Sequence, residues 1–422
     1  MKIQRIELVN FRGITKMPLT FSARTTALVG INGVGKSSVL DALAIALSNL
    51  TARVIGQAAK ARRISPDDIR IGTEYARLLV IADLGADSDI EWAVALNRKN
   101  DKHPPERSSD LSALNARAEL FQYRLLHRER EGLPIILPLA VYYDVHRAVL
   151  DVPIRTRGTN KTTPGDAYDD ALGHGGTDFR GFFTWFRNQE DAENERIRDV
   201  PSYRDKGLSA VRRAIEQFTQ FTDLRIRRKP ALRMTINKSG TELNVLQLSD
   251  GERCMLALVG DLARRLSLLN TEREDPLQGE GVVLIDEIDL HLHPRWQRTV
   301  VASLERTFPN CQFIITTHSP QVLGELSPES VMLFRDGSLL GHAERSLGLS
   351  SGEVLEELMG GAARNENVDA ELNSIRALID IDDVMPAQAS LDKLRLKVGD
   401  IPDVLGLQAS IDSLQWLKDD QA

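Results

Sequence analysis

The stretch Gly30-Ile31-Asn32-Gly33-Val34-Gly35-Lys36-Ser37 decides the fold of this 422-residue chain. Its spacing, G-x-x-x-x-G-K-S, has a mechanism only between a strand and a helix. Both flanks comply: Thr26-Ala27-Leu28-Val29 is a short apolar run, and residues 39–50 read as an apolar helix. In such a loop the backbone N–H groups curl around an anion and the helix N-terminus adds positive potential. Gly30, Asn32, Gly33, Gly35 and Ser38 would shape that cradle, with Lys36 reaching terminal phosphates and Ser37 offering its hydroxyl to Mg²⁺.

Working outward, Ile6 and Leu8 mark a first strand, 76–84 and 90–96 an antiparallel hairpin, and 138–143 a buried strand. Residues 97–132 are polar with helical stretches. The segment from 149 opens with Gly and Pro and continues as helical text over 179–197 and 208–221. It lacks sustained a/d heptads, which excludes a long coiled-coil arm. Phe182, Phe183 and Phe186 stand at helical spacing and read as core, whereas Glu190, Asp191, Glu193 and Glu195 read as a solvated face. Residues 232–246 form a hairpin turning at Lys238-Ser239-Gly240, ahead of a helix that runs to 269. Strands at 282–285, 313–316 and 330–334, with a helix after Pro294, complete an α/β lobe. The expected division is an N-terminal lobe at 1–148, a helical insertion at 149–225, a C-terminal lobe at 226–345 and a helical, acidic tail at 346–422.

Composition bounds the rest. A chain that is 42% hydrophobic and 27% charged is ordinary for a globular protein, and a net charge of −7 argues against a surface coated for DNA. A nucleic-acid contact would have to be local, at Arg225, Arg227, Arg228, Lys229 and Arg233, for which a solvated face is the simpler reading. Cys254 and Cys311 are too few for a disulfide framework and read as core thiols in a reducing cytoplasm. The apolar runs are too short to span a bilayer, and MKIQRIELVN reads directly as a strand, so neither a membrane span nor a signal peptide is expected.

Val282-Val283-Leu284-Ile285-Asp286-Glu287 is an apolar strand ending in two acids. Beside a phosphate loop, Asp286 would hold Mg²⁺ through its water shell and Glu287 would polarise the water attacking the γ-phosphate of ATP. Leu248-Ser249-Asp250-Gly251-Glu252 resembles the LSGGE signature of ABC ATPases, with Asp at the third position, and Thr316-Thr317-His318-Ser319-Pro320 resembles their switch-histidine segment. That resemblance implies a homodimer of heads. ATP would lie between one head's glycine loop and the other's Ser249, Gly251 and Glu252, with His318 sensing the γ-phosphate.

Asn10-Phe11-Arg12-Gly13 and Leu290-His291-Leu292-His293-Pro294 are similar to segments of the RecF, SMC and OLD branch of that family. The likeness places Arg12 near the nucleotide and the two histidines at the dimer interface rather than on a metal. Residues 248–320, with Val259-Gly260-Asp261-Leu262-Ala263-Arg264-Arg265 and Pro309-Asn310-Cys311-Gln312-Phe313-Ile314, closely resemble the PtuA-type ATPases of Septu and retron defence systems. The implied fold class is an α/β ABC-ATPase head, a P-loop NTPase whose mixed sheet carries an antiparallel β-subdomain, with a helical insertion and a helical C-terminal tail. The implied function is ATP hydrolysis in an anti-phage complex. Its heads would pair or assemble further, gate a separate HNH nuclease of the PtuB kind, and meet DNA only through the complex.

No nuclease is expected in the chain itself. Asp380-Ile381-Asp382-Asp383 spells D-x-D in text that reads as a loop between tail helices, and His103, His127, His146 and His174 lie too far apart for an HNH motif. Two other readings stay open: a RecF-like repair ATPase, which predicts salt-sensitive DNA binding, and an OLD-like nuclease, which predicts cutting lost on replacing Asp380 and Asp382.

Overall fold

The computed structural model describes residues 1–85, 89–99, 104–131, 136–145, 163–173, 179–335 and 337–419. The chain begins with strands β1 (Lys2–Phe11), β2 (Ile14–Thr20) and β3 (Thr25–Val29), then helix α1 (Lys36–Val54). Strands β4 (Tyr75–Asp83) and β5 (Ile90–Asn97), helix α2 (Ser112–Glu131), strand β6 (Leu139–Tyr143) and helices α3 (Phe179–Asp199) and α4 (Lys206–Thr219) follow. Next come β7 (Thr222–Arg227), β8 (Arg233–Lys238), β9 (Thr241–Asn244), α5 (Asp250–Leu269), β10 (Gly281–Ile285), α6 (Pro294–Gln297) and α7 (Val300–Thr307). The order continues with β11 (Cys311–Thr316), α8 (Pro320–Leu323), β12 (Val331–Arg335), β13 (Ser338–His342) and the tail helices α9 (Ser351–Glu357), α10 (Glu366–Asp380), α11 (Val384–Val398) and α12 (Pro402–Asp419). These elements make two compact units, Met1–Gly348 and Leu349–Ala422.

Three sheets build the first unit. A six-stranded sheet runs β13-β12-β3-β11-β10-β6, parallel from β12 to β6, with β13 antiparallel at its edge. An antiparallel sheet runs β2-β1-β4-β5, and a small one β7-β8-β9. Helix α1 touches β6, β10 and β11 on one side and β1 and β4 on the other. Cover on both sides is why its sequence is apolar nearly all round, where a surface helix would show one stripe. The same logic separates the strands: β3, β10 and β11 are buried at every residue, while β4 alternates along its length.

Gln312 stitches the two larger sheets together. Its amide donates to the carbonyls of Ile3 and Ser22 at 2.8 and 2.7 Å, and its Oε1 accepts from the Ile3 N–H at 2.7 Å. Both side-chain N–H groups and the side-chain oxygen are thus bonded in a buried strand, where an unmet amide would cost about 1–3 kcal/mol.

Asp191 and Glu195 of α3 are exposed as expected, but Glu190 and Glu193 depart from the solvated-face expectation. Phe182, Phe183 and Phe186 are core as expected, but Glu190 and Glu193 are only 5% and 4% exposed. Arg212 of α4 donates to both, at 3.1 and 2.8 Å, while the Ile226 and Asp205 N–H groups supply further bonds. Burial raises the Glu190 pKa even so, against these partners. Arg212→Ala leaves two buried carboxylates with only backbone donors, and because Arg212 is itself part-exposed we expect a loss of about 2 kcal/mol. A lowered urea midpoint with unchanged m-value measures it.

The basic row at β7 and β8 is largely paired. Arg225 meets Asp223, Arg228 meets Asp191, and Arg227 bonds Glu242 at 2.7 Å. Both cysteines are buried thiols. Among the described residues no helix is long and apolar enough to cross a membrane. Of the histidines weighed for an HNH motif, His103, His146 and His174 lie outside the described residues, as do 149–162 and 174–178 of the insertion.

In the second unit, α10, α11 and α12 pack a core of Leu372, Ile375, Val384, Ala387, Leu391, Leu394, Val404, Leu407 and Ile411. Asp380 ends α10, and Ile381 to Asp383 form the exposed turn before α11, with Asp382 at φ 56°.

Candidate nucleotide site

Because β3, β11, β10 and β6 are parallel neighbours, whatever follows each of them emerges along one carboxyl edge of the sheet. That edge carries the glycine loop after β3, His318 after β11, Asp286 and Glu287 after β10, and Asp144 after β6. Open α/β sheets bind ligands at this edge.

Gly33 and Gly35 of the loop have φ of 83° and 101°, a region that a Cβ disfavours, and Gly35 turns the chain directly into α1. The first intrahelical bond is Val39 N–H to the Gly35 carbonyl at 3.0 Å. The N–H groups ahead of it therefore face outward with the helix dipole behind them. Lys36 is 6% exposed and donates to the Gly30 and Ile31 carbonyls at 2.8 and 3.1 Å. Burial lowers its pKa, opposed by Asp286 and Glu287, which places all three groups in one field. Ser37 is exposed and Ser38 half-buried.

The two acids are oriented by Thr316. Its Oγ1 donates to Asp286 Oδ1 and accepts from the Glu287 N–H at 2.7 Å. Asp286 is buried, and its N–H donates to the Tyr143 carbonyl at 2.9 Å. Glu287 sits at φ 48°, a costly conformation for a residue with a Cβ, of the kind stored at functional sites. Asp289 holds the next segment: its Oδ1 accepts from Thr317 Oγ1 at 2.6 Å and from the His318 N–H at 3.3 Å. His318 is half-buried, with its backbone held by Asp289.

Thr316, Asp289 and Asp144 were not assigned to the site by sequence reasoning. Asp144 had a signal, since it follows an apolar strand just as Asp286 does. Its neighbourhood shows in Tyr142, whose pKa is raised first by burial and then by Asp41, Asp286 and Asp144.

Arg12 lies beside α1 with its guanidinium engaged. It bonds Asp41 at 2.6 Å and Asp68 at 2.9 Å, and Arg62 reaches the other Asp41 oxygen at 2.8 Å.

Ser249 caps α5 through a capping box with Glu252. Gly251 is the point where this turn meets the histidine segment: a Cβ there would lie 2.5 Å from the His291 carbonyl. The cleft in front of the turn, about 720 Å³, is lined by Ser249, Asp250, Gly251, Glu252 and the 291–296 segment, and by no residue of the glycine loop. His291 and His293 are exposed, and His293 Nδ1 accepts from the Arg295 N–H at the start of α6. Among the described residues no group of three His, Cys, Asp or Glu side chains is placed to hold a metal.

Comparison with known proteins shows the family. A family model described as "AAA domain, putative AbiEii toxin, Type IV TA system" matches residues 25–324. The chain is 30% identical to the retron Vc95 probable ATPase of Vibrio cholerae, covering 79% of this chain and 74% of that one. It is also 30% identical to the retron Ec83 probable ATPase of Escherichia coli, over 86% and 77% of the two chains. The Septu protein PtuA of Bacillus thuringiensis is 24% identical over 76% of this chain and 72% of its own length. Phosphate loop, paired acids and the Ser249 turn all lie within the matched span, and the chain belongs to this AAA-domain family as an ATPase.

Proposed function

We propose that this ATPase works as paired heads in an anti-phage defence complex, with each ATP gripped by the glycine loop of one head and the Ser249 turn of the other. In this reading the nucleotide state of the pair restrains or releases a separate HNH nuclease. The observation that carries it is the separation of the two half-sites: the cleft at Ser249 contains no residue of the glycine loop. Each head then offers one phosphate grip and lacks the other, which a second copy supplies. The relatedness to retron ATPases and Septu PtuA supports the defence setting.

The donors fit a magnesium nucleotide. Ser37 is exposed at the loop, and Asp286 offers a buried carboxylate at the end of β10. Magnesium, when bound there, neutralises phosphate charge. Lys36 and the α1 N-terminus bind the triphosphate, Glu287 accepts the proton of the attacking water, and His318 holds that water in line. The insertion at 149–225 and the tail at 346–422 supply surface for the nuclease, and DNA meets the complex rather than the isolated head.

The test is copurification with an HNH protein encoded beside this one, followed by DNA cleavage assays with and without ATP. Cleavage that changes with ATP only when both proteins are present supports the reading. Tight, salt-sensitive DNA binding by the isolated ATPase favours a repair role instead, and cutting by the isolated ATPase lost on Asp380→Ala favours an OLD-like nuclease.

A further inference from the structure

The first turn of α5 carries two carboxylates, Asp250 and Glu252, at the place where the paired-head reading brings a triphosphate from the other protomer. Unbalanced, they would repel it. Each has a cation of its own: Arg253 pairs with Asp250 within the turn, and Lys238, the last residue of β8, pairs with Glu252. The two pairs differ in kind. The Asp250 side chain is 73% exposed and screened by water, while that of Glu252 is 13% exposed and less screened, its partner Lys238 being 41% exposed.

Glu252 also connects Lys238 to the signature serine. One carboxylate oxygen takes Lys238 Nζ; the other accepts from the Ser249 N–H at 3.0 Å and the Ser249 hydroxyl at 2.9 Å. Lys238 is held in turn over the Phe221 ring, 5.9 Å from its centroid. Burial works against ionisation of Glu252, yet Lys238 and Ser249 keep its carboxyl below the usual range.

We propose that Lys238 is a positioning residue for Ser249, fixing and neutralising Glu252 so that the signature turn can receive a phosphate held by the partner protomer. The inference rests on the paired-head reading. Without the lysine charge, Glu252 is an uncompensated anion one hydrogen bond from the Ser249 hydroxyl. It competes with phosphate oxygens for that proton and repels the phosphate itself. Neither effect touches the glycine loop.

The test compares full-length Lys238→Met, Lys238→Arg, Ser249→Ala and Glu252→Gln proteins. Affinity for a fluorescent ATP analogue is read at low protein concentration, and ATP-dependent pairing by light scattering. Lys238→Met should bind ATP as the wild type does while pairing about tenfold more weakly, the scale of one charge pair in a partly desolvated site. Lys238→Arg should restore pairing, and Lys238→Met should add nothing in a Glu252→Gln background. Wild-type pairing by Lys238→Met together with failed pairing by Ser249→Ala would sink the lysine's role and leave the paired heads standing. Wild-type pairing by Ser249→Ala would sink both. Loss of ATP affinity in Lys238→Met, or no rescue by arginine, would mean a merely structural residue and also overturn the proposal.

Discussion

Lys36→Ala abolishes ATP binding, with an affinity loss of at least about a hundredfold by calorimetry or a fluorescent analogue, on the scale of removing one partner of a buried, hydrogen-bonded charge pair. The size follows from where the ammonium sits. It is buried among loop carbonyls and within the field of Asp286 and Glu287, so its partners hold it ready for a triphosphate. A preorganised charge loses little freedom on binding. Its removal leaves the incoming phosphates facing two carboxylates with only the helix N-terminus to answer them. Lys36→Arg should rescue poorly, because the planar fork cannot occupy the space of a compact ammonium under the loop. An unchanged thermal midpoint without nucleotide separates loss of the grip from loss of the fold.

Glu287→Gln keeps ATP affinity and lowers turnover by about a thousandfold, within the usual range for a general base. Glutamine preserves the shape and accepts a hydrogen bond but takes no proton at neutral pH. The local frame supports a positional role for this side chain. Its backbone is held at φ 48°, and its N–H is fixed by the same Thr316 hydroxyl that orients Asp286. Such a conformation persists only where the surroundings enforce it. ATP-bound pairs therefore accumulate in the variant, visible by light scattering as a dimer that survives without added nucleotide. Equal single-turnover rates for wild type and Glu287→Gln would remove the base from Glu287.

How much of this was legible in the sequence depends on the range of each signal. The strand, glycine loop and helix around Lys36 are specified by contiguous residues, as are the apolar strand before Asp286 and the hairpin at Lys238-Ser239-Gly240, and all appear where local chemistry puts them. The buried carboxylates of α3 were read as solvent-facing because nothing in 190–195 announces a partner. The partner is Arg212, one helix later, and only the packing of α3 on α4 brings it over. Asp144, Asp289 and Thr316 escaped for the same reason. They stand at or after the ends of β6, β10 and β11, strands far apart in sequence that the parallel register sets side by side. Arg12 is a further case: its motif gives no sign of Asp41 and Asp68, which engage its guanidinium.

The most direct test of the central claim is complementation between two inactive proteins. Lys36→Ala spoils the glycine loop and keeps the signature turn; Ser249→Arg keeps the loop and blocks the turn. If ATP is gripped across two heads, neither protein alone forms ATP-dependent dimers or hydrolyses ATP. Their mixture does both, because each mixed pair holds one intact composite site. A mixture no more active than its components, with ATP still bound by the Ser249→Arg protein, would contradict the account.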